Sequence, residues 1–576
     1  MISYKYQSKG VSMFHSRYLQ AFAVAFLALT SSPLLAAVTT TGDVLPVDPT
    51  SWDDKTTSYI GKTKTGGMTI NGGSITDGVG FIGHSPIATG TVTVDGANSL
   101  WTNTRELFVA CSGRGTLNII NGGHVASRDT YITYYQNSAG TINFGANGGV
   151  LTTNSLFFPT PDRLTGTGTI NTNGIVTDLD FVFDPAHSPN RTFVFSGPEK
   201  DVTLNLNQNS TGRLGVGYRG SASMAIQGGV TVDSGTGYLG FHDGSSGIAT
   251  ISGKNSTWNN GGLYVGRSGN GRLHIIDGGK VRSDGCYIAY GDHTSGEVMV
   301  DGADSIWNNS YNGAGYIYVG HGYSSHGTLR ISNGGTVNNY EFSMVAYGMY
   351  SSANVTVDGA NSTWNNQTKL HVGVSGNATL NITNGARVTF GEASIGHFDG
   401  SVAVVTVDGP GSTLTSRGNL GIHRSGDLCV GGNLYGYDSF GSGTLTITNQ
   451  GLVRVDGKLA IDVNEDGESF INMSTGGMLA LLGDLDDSLT TFLDQVRGTD
   501  AIRYWDDSIG TTGDWTSLAS GTSGIDYTLQ YQTAGPHSGY TVLTVGTPIP
   551  EPSTVVLLLL LTVWIVPRLR HRHASH

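Results

Sequence analysis

The sequence predicts an all-β fold, a repetitive solenoid read as a right-handed parallel β-helix with about three strands per turn. Three observations carry that prediction. Glycine supplies 86 of 576 residues while charged residues make up only 13%, roughly twice and half their usual shares. One phrase recurs along the chain: VTVDGANSLW ending at Trp101, ISGKNSTW at Trp258, VMVDGADSIW at Trp307, VTVDGANSTW at Trp364, and VTVDGPGSTL ending at Leu414. Apolar anchors also fall at near-constant spacing, with Ile70, Val94, Ile119 and Phe144 followed later by Ile226, Ile251, Ile275 and Val300. The steps are 24 or 25 residues, so one rung is about 25 residues and the repeated phrase marks every second rung.

The first segment, 1–37, reads as an export signal. Lys5, Lys9 and Arg17 precede an apolar run from Ala21 to Leu29, and small residues follow at Ala36 and Ala37. That is the order of a secretory signal, with cleavage by a signal peptidase expected beside Ala36 and Ala37. The nine-residue run is too short to span a bilayer.

Residues 38–457 form the repeat. A second phrase alternates with the first, as in LFVACSGRGTLNIINGGHV from Leu107 and LYVGRSGNGRLHIIDGGKV from Leu263. Within a rung the pattern has period two, so Leu273 and Ile275 point inward and His274 outward, as Val298 and Val300 do around Met299. Strands this short cannot bury a face alone, but stacked rung on rung they share one continuous core. A β-propeller also recurs at about 40–50 residues, yet would not halve into two similar rungs. The stretch 145–225 breaks the spacing and is expected to hold insertions.

Several repeated residues invite a functional reading. Asp95, Asp301, Asp358 and Asp408 share one position, with Ser252 in the remaining copy. In a stack they would stand about 10 Å apart, too far to share a cation or work as a close acid/base pair, and Asp-Gly is ordinary turn chemistry. Trp101, Trp258, Trp307 and Trp364 are expected to cap the core at a corner rather than form an exposed sugar platform. Asn98, Asn255 and Asn361 read as turn or internal ladder elements, and His84, His321 and His397 as outward polar residues. No Ser/His/Asp order, HExxH or P-loop is present. Cys111, Cys286 and Cys429 lie too far apart for a CxxC site or a disulfide framework.

From 458 to 545 the repeat decays into an expected C-terminal cap. LALLGDLDDSLTTFLDQV has helical spacing, and AIRYWDD and YTLQYQ read as strands, suiting an end that must cover an open rung. Asp506 and Asp507 beside Trp505 read as surface acids. One loop fits the opening of a calcium site, with Asp462, Asn464 and Asp466 at alternate positions before Gly467. Met473 stands where the closing glutamate belongs, so a plain acidic turn competes with that reading, and no other cofactor is expected.

The last segment, 546–576, carries Pro550-Glu551-Pro552, an apolar run from Val555 to Val566, and Arg568, Arg570 and Arg572. The run is shorter than the roughly 18 residues that mark a spanning helix, and the basic cluster would stay cytoplasmic. This order resembles the PEP-CTERM sorting signal, also catalogued as the ice-binding protein C-terminal motif. The resemblance implies a Gram-negative bacterium, transient inner-membrane anchoring, an exosortase-type transpeptidase that cuts near Pro-Glu-Pro, and delivery to the surface or exopolysaccharide matrix. The run lacks glycine, and Pro567 and histidines interrupt the basic tail. The repeats are also similar to autotransporter-passenger solenoids, without a terminal β-barrel pattern.

Charge narrows the partners. Formal net charge is −13, and removing both end segments takes away six basic residues and one acidic, leaving 25 basic against 43 acidic and a net −18. Such a surface repels phosphate backbones, so nucleic acid is not an expected partner. The sequence therefore points to a non-catalytic exported surface or matrix protein that binds polysaccharide or neighbouring molecules. A pectin-lyase-like polysaccharide lyase or glycosidase is the first alternative, since fold does not fix function. Ice binding is the second. It would need threonine ladders on a flat face, and the TVTV at Thr91–Val94 is not repeated on each rung.

Overall fold

The computed structural model describes residues 37–309, 315–417, 426–432, 441–461, 469–494, 496–497, 501–509 and 512–546. It is 58% strand and 3% helix, a parallel β-solenoid of about 15 turns. One turn is a long strand followed by two short ones: Asn270–Ile276, then Lys280–Ser283, then Gly285–Ile288, before Ser295–Asp301 begins the next. Three stacked sheets therefore wrap one core.

Local chemistry sets each corner. After the long strand, Asp277 and Gly278 take φ of 53° and 83°, a left-handed step that Asp, Asn and Gly adopt at least cost. Glycine also opens the long strand. At Gly296 an added Cβ would lie 2.4 Å from both the Ala289 nitrogen and the Val265 oxygen, so the corner closes only on a residue with little or no side chain. Ala353, Ala378 and Ala403 hold this register in later turns, between Gly327 and Gly443. This one position accounts for a recurring glycine in most turns.

Register then builds the core. Leu273 lies over Val298, Leu329, Val355, Leu380, Val405 and Leu445 in strict succession, and every one is fully buried. Each such side chain contributes about 1.5–3 kcal/mol of burial.

The irregular stretch holds the expected insertion. The strand Leu164–Thr172 passes from the first sheet to the second, and the hairpin Asn190–Gly197/Lys200–Asn207 extends that second sheet outward.

Antiparallel strands close both ends. Ala37–Gly42 pairs with Thr65–Asn71, and Val44–Leu45 with Thr57–Ile60. At the far end Tyr540–Val545 pairs antiparallel with Met478–Leu482. The helical spacing expected over 479–496 is only partly realised, since the helix spans Leu489–Asp494 alone. Met478–Leu482 is a strand instead, because its apolar residues continue the stack over Leu452–Val455. Among the described residues no helix is long and apolar enough to cross a membrane.

Candidate binding surface

The three sheets present three different chemistries. On the long-strand face, outward residues form two parallel columns of threonine and asparagine. Near the N-terminal end, Thr91, Thr116 and Thr141 are one column, and Thr69, Thr93, Asn118 and Asn143 the other. Near the C-terminal end, Thr328, Asn354, Thr379, Val404 and Thr444 lie beside Thr356, Asn381, Thr406, Thr446 and Asn472. Between the blocks, Arg272, Glu297, His274, Met299 and Arg330 interrupt the pattern. The columns are tied along the rod: Asn118 Nδ2 donates to Thr93 Oγ1 (3.1 Å), Asn143 Nδ2 to Asn118 Oδ1 (3.1 Å), and Thr379 Oγ1 to Asn354 Oδ1 (2.7 Å). Columns two residues apart on stacked rungs make a lattice of about 6.7 by 4.8 Å. This recurrence is wider than the TVTV motif suggests, because asparagine alternates with threonine.

The second face carries the Trp-Asn-Asn motif. Trp258, Trp307 and Trp364 are fully buried, as is Trp101, so the tryptophans fill the core and offer no sugar platform. The first asparagine of the motif faces out and joins a ladder, with Asn338 Nδ2 donating to Asn308 Oδ1 (2.7 Å) and Asn365 Nδ2 to Asn338 Oδ1 (2.8 Å). The second faces in, where Asn309 Nδ2 donates to Asn339 Oδ1 (2.8 Å) and Ser283 Oγ to Asn309 Oδ1 (2.7 Å). Trp307 Nε1 satisfies its own proton on Ser283 Oγ (3.0 Å). The ladder thus belongs to these residues, and Asn98, Asn255 and Asn361 are exposed turn residues. Asn255 and Asn361 take φ of 70° and 67°. The serine after each of the three is the structural element: Ser99, Ser256 and Ser362 are buried and accept from a glycine N–H of a neighbouring turn. Sequence reasoning missed both, although WNN and NS recur with the repeat.

The third face is aromatic. Tyr59, Phe81, Phe108 and Tyr131 stack at 4.7–5.2 Å with planes within 9°. Tyr238, Tyr264, Tyr287 and Tyr318 resume the row at 5.2–5.3 Å. A second row meets the first edge-on and includes His84, Tyr134, Tyr290 and His321. Because stacked rings cover each other's faces, this row is mainly cohesive and offers little flat area to a sugar. His84 and His321 are therefore members of an aromatic stack, and His397 packs on His371 at 4.7 Å. They do face outward, but half-buried among rings rather than as free polar residues. Burial lowers all three below the usual histidine range, which leaves them neutral at pH 7.

The repeated aspartates are clasps. Asn121, Asn333, Asn384 and Asn449 each donate Nδ2 at 2.7 Å to Asp95, Asp301, Asp358 and Asp408 of the adjoining turn. Asp301, Asp358 and Asp408 alternate with Ser332 and Thr383 in register, which gives the two-rung separation expected. Asp507 accepts from Trp505 Nε1 (2.7 Å), and Ser508 lowers the Asp506 carboxyl by donating twice to it. Both line a recess of about 510 Å³ with Asp526 and Tyr504. Among the described residues no group of three or more His, Cys, Asp or Glu is placed to hold a metal ion.

Ala37 opens the first strand. Ala36, the calcium-type residues Asp462, Asn464 and Asp466, and the sorting residues Pro550, Glu551, Pro552, Arg568, Arg570 and Arg572 lie outside the described residues. No protein-family model matches the chain, and no curated protein or solved structure matches it.

Proposed function

We propose that this chain is an exported, non-catalytic protein of the cell surface or exopolysaccharide matrix, and that its long-strand face binds polysaccharide. The paired threonine and asparagine columns carry this reading. Their side chains are already held in place by neighbours along the rod, so little rotamer freedom is lost on binding. A repeating array of hydroxyl and amide groups suits a polymer with repeating hydroxyls, because many weak contacts add along one chain. With both end segments removed, the net charge of −18 favours neutral over acidic polymers. Delivery follows the resemblance of the C-terminal segment: a signal peptidase at the N-terminus, transient inner-membrane anchoring, and an exosortase-type cut near Pro550-Glu551-Pro552.

Ice binding is the second reading, favoured by the same columns, because a flat and rigid hydroxyl lattice also suits an ordered water surface. One set of measurements separates the two. The full-length protein is tested for retention on insoluble neutral and acidic polysaccharides, for release of shortened sugar chains, and for thermal hysteresis. Retention lost in a Thr379→Ala/Thr406→Ala/Thr444→Ala variant, with sugar length unchanged, supports the matrix reading. Thermal hysteresis without retention supports ice binding, and shortened chains overturn the non-catalytic assignment.

A further inference from the structure

A groove of about 490 Å³ lies on the second face, across four turns of the rod and the inserted hairpin. That volume falls in the range of small-ligand sites. Its walls come from the strands Leu100–Val109, His124–Ile132, Val150–Phe158 and Leu164–Thr172, and from Lys200–Asn207 of the hairpin. The insertion that breaks the repeat therefore also builds the site.

The groove is lined mainly by asparagine, threonine and serine, whose methyl and methylene carbons supply most of its surface and whose outward polar atoms are held in place by neighbours. Asn205 Nδ2 donates to Asn171 Oδ1 (3.0 Å), while Thr192 Oγ1 donates to Asn205 Oδ1 (2.9 Å). Asn173 Nδ2 and Thr211 Oγ1 both donate to Asn154 Oδ1 (3.1 and 2.7 Å). Each bond engages one end of an amide, and among the described residues no side chain pairs with Asn171 Nδ2 or Asn173 Oδ1. Asn103 is the inward member of its strand, 1% exposed with its amide directed into the core beside Gly80 and Trp101, so only the outward residues face the groove. Arg128 is the only ionisable residue of the lining, and it is paired with Glu106 and with Asp129 (3.2 Å). Asp129 also pairs with Arg213. The lining therefore offers no free cation to an acidic ligand.

We infer that this groove is a binding site for a neutral oligosaccharide, read by amide and hydroxyl hydrogen bonds instead of ring stacking. Threonine at 102, 104 and 152 adds methyl groups against sugar C–H surface, and no aromatic residue lines the groove. The inference rests on the proposed matrix role only for its class of ligand. The site is separate from the columns of the long face, so a chain held by both gains avidity along one rod.

The test uses the full-length protein and titration calorimetry with soluble hexamers: cellohexaose, maltohexaose and oligogalacturonate. Binding of one or both neutral hexamers, weakened at least tenfold by Thr152→Tyr, is expected. Asn207→Ala, an exposed change that leaves the Asn207 backbone oxygen free to accept from Asn209 Nδ2 (3.1 Å), should weaken it about threefold and guards against misfolding of the bulkier variant. Circular dichroism confirms the fold of each. Failure of both neutral hexamers to bind, preference for the uronate, or equal binding by both variants overturns the site. Soluble-hexamer binding unaffected by the Thr379→Ala/Thr406→Ala/Thr444→Ala variant keeps this result distinct from failure of the long face to retain insoluble polymer.

Discussion

Asn309 and Asn339 stand on successive turns and join inside the rod, Nδ2 to Oδ1 at 2.8 Å, with both residues at most 1% exposed. Asn339 in turn donates to Ser343 Oγ (2.9 Å), whose hydroxyl donates to Asn366 Oδ1 (2.5 Å). With Ser283, which donates to Asn309 Oδ1 (2.7 Å), five side chains thus form one buried polar thread along an otherwise apolar core. Such a thread fixes register, since a strand slipped by one residue would bury unpaired amides.

Asn339→Ala is expected to destabilise the protein by about 2–4 kcal/mol, the range for orphaned buried groups together with a small cavity. Asn339→Leu should restore volume but not stability. Denaturant unfolding with hydrogen exchange would show the loss centred on the turns around 309–366. Recovery by leucine would mean that the thread matters only for packing.

Asp77 occupies the corresponding corner nearer the N-terminal end, paired in register with Asn103 and hydrogen-bonded by Ser58. Burial raises its carboxyl to about 7. Between about pH 4 and 7 the unfolded chain has released a proton that the folded chain keeps, so stability falls as pH rises through that window. The loss is up to about 4 kcal/mol. Asp77→Asn should match the parent near pH 3.5 and melt higher at pH 8. Identical melting profiles would contradict the burial assignment.

His371 acts in the opposite sense. It is 7% exposed, its Nδ1 lies 2.6 Å from Ser394 Oγ, and burial lowers it to about 3. Below the ordinary histidine value of about 6.5, the unfolded chain binds a proton that the folded chain refuses. Stability is therefore lost as pH falls from about 6.5 towards 3. His371→Gln should flatten the acid limb of a plot of Tm against pH, and an unchanged limb would assign acid lability elsewhere.

The aspartate clasps separate two costs at one residue. Asn384 has φ of 55° and donates to Asp358. Asn384→Gly keeps the backbone free and loses only an exposed hydrogen bond, worth about 0.5–1 kcal/mol. Asn384→Val adds the strain of a β-branched residue at positive φ and should cost about 1–3 kcal/mol more. Equal thermal shifts for the two variants would show that conformation, and not the clasp, is unimportant there.

Much of the fold could be read from the chain because its determinants are local. Alternation around Leu273 and Ile275, together with the glycine-rich corners, yields rungs directly. The tryptophans read as capping the core by size and repetition, and all four are fully buried. The inner ladder was harder to see: Asn309 and Asn339 are polar residues at inward positions, where an apolar pattern expects none. The ring packing of the outward histidines was not legible, because His84 and His321 follow a short strand whose outward neighbours are aromatic, and their environment depends on adjacent rungs. The groove could not be found in sequence, since it brings together Thr104 and Asn205 through an insertion of no regular period. Threonine columns escaped for a related reason, because Asn118 and Asn381 serve where a search for repeated threonine stops.

The antiparallel strands at the two ends have a further consequence. A stack of parallel rungs is open to addition at either face, and nothing in its interior says when to stop. Here Ala37–Gly42 and Tyr540–Val545 run against the direction of the stack and so cannot template another rung of the same kind. The number of turns between these two strands therefore sets the length of the stack. At about 4.8 Å per rung, its 15 turns hold a distance of roughly 70 Å, a length written in the number of repeats and adjustable by gain or loss of two rungs at a time.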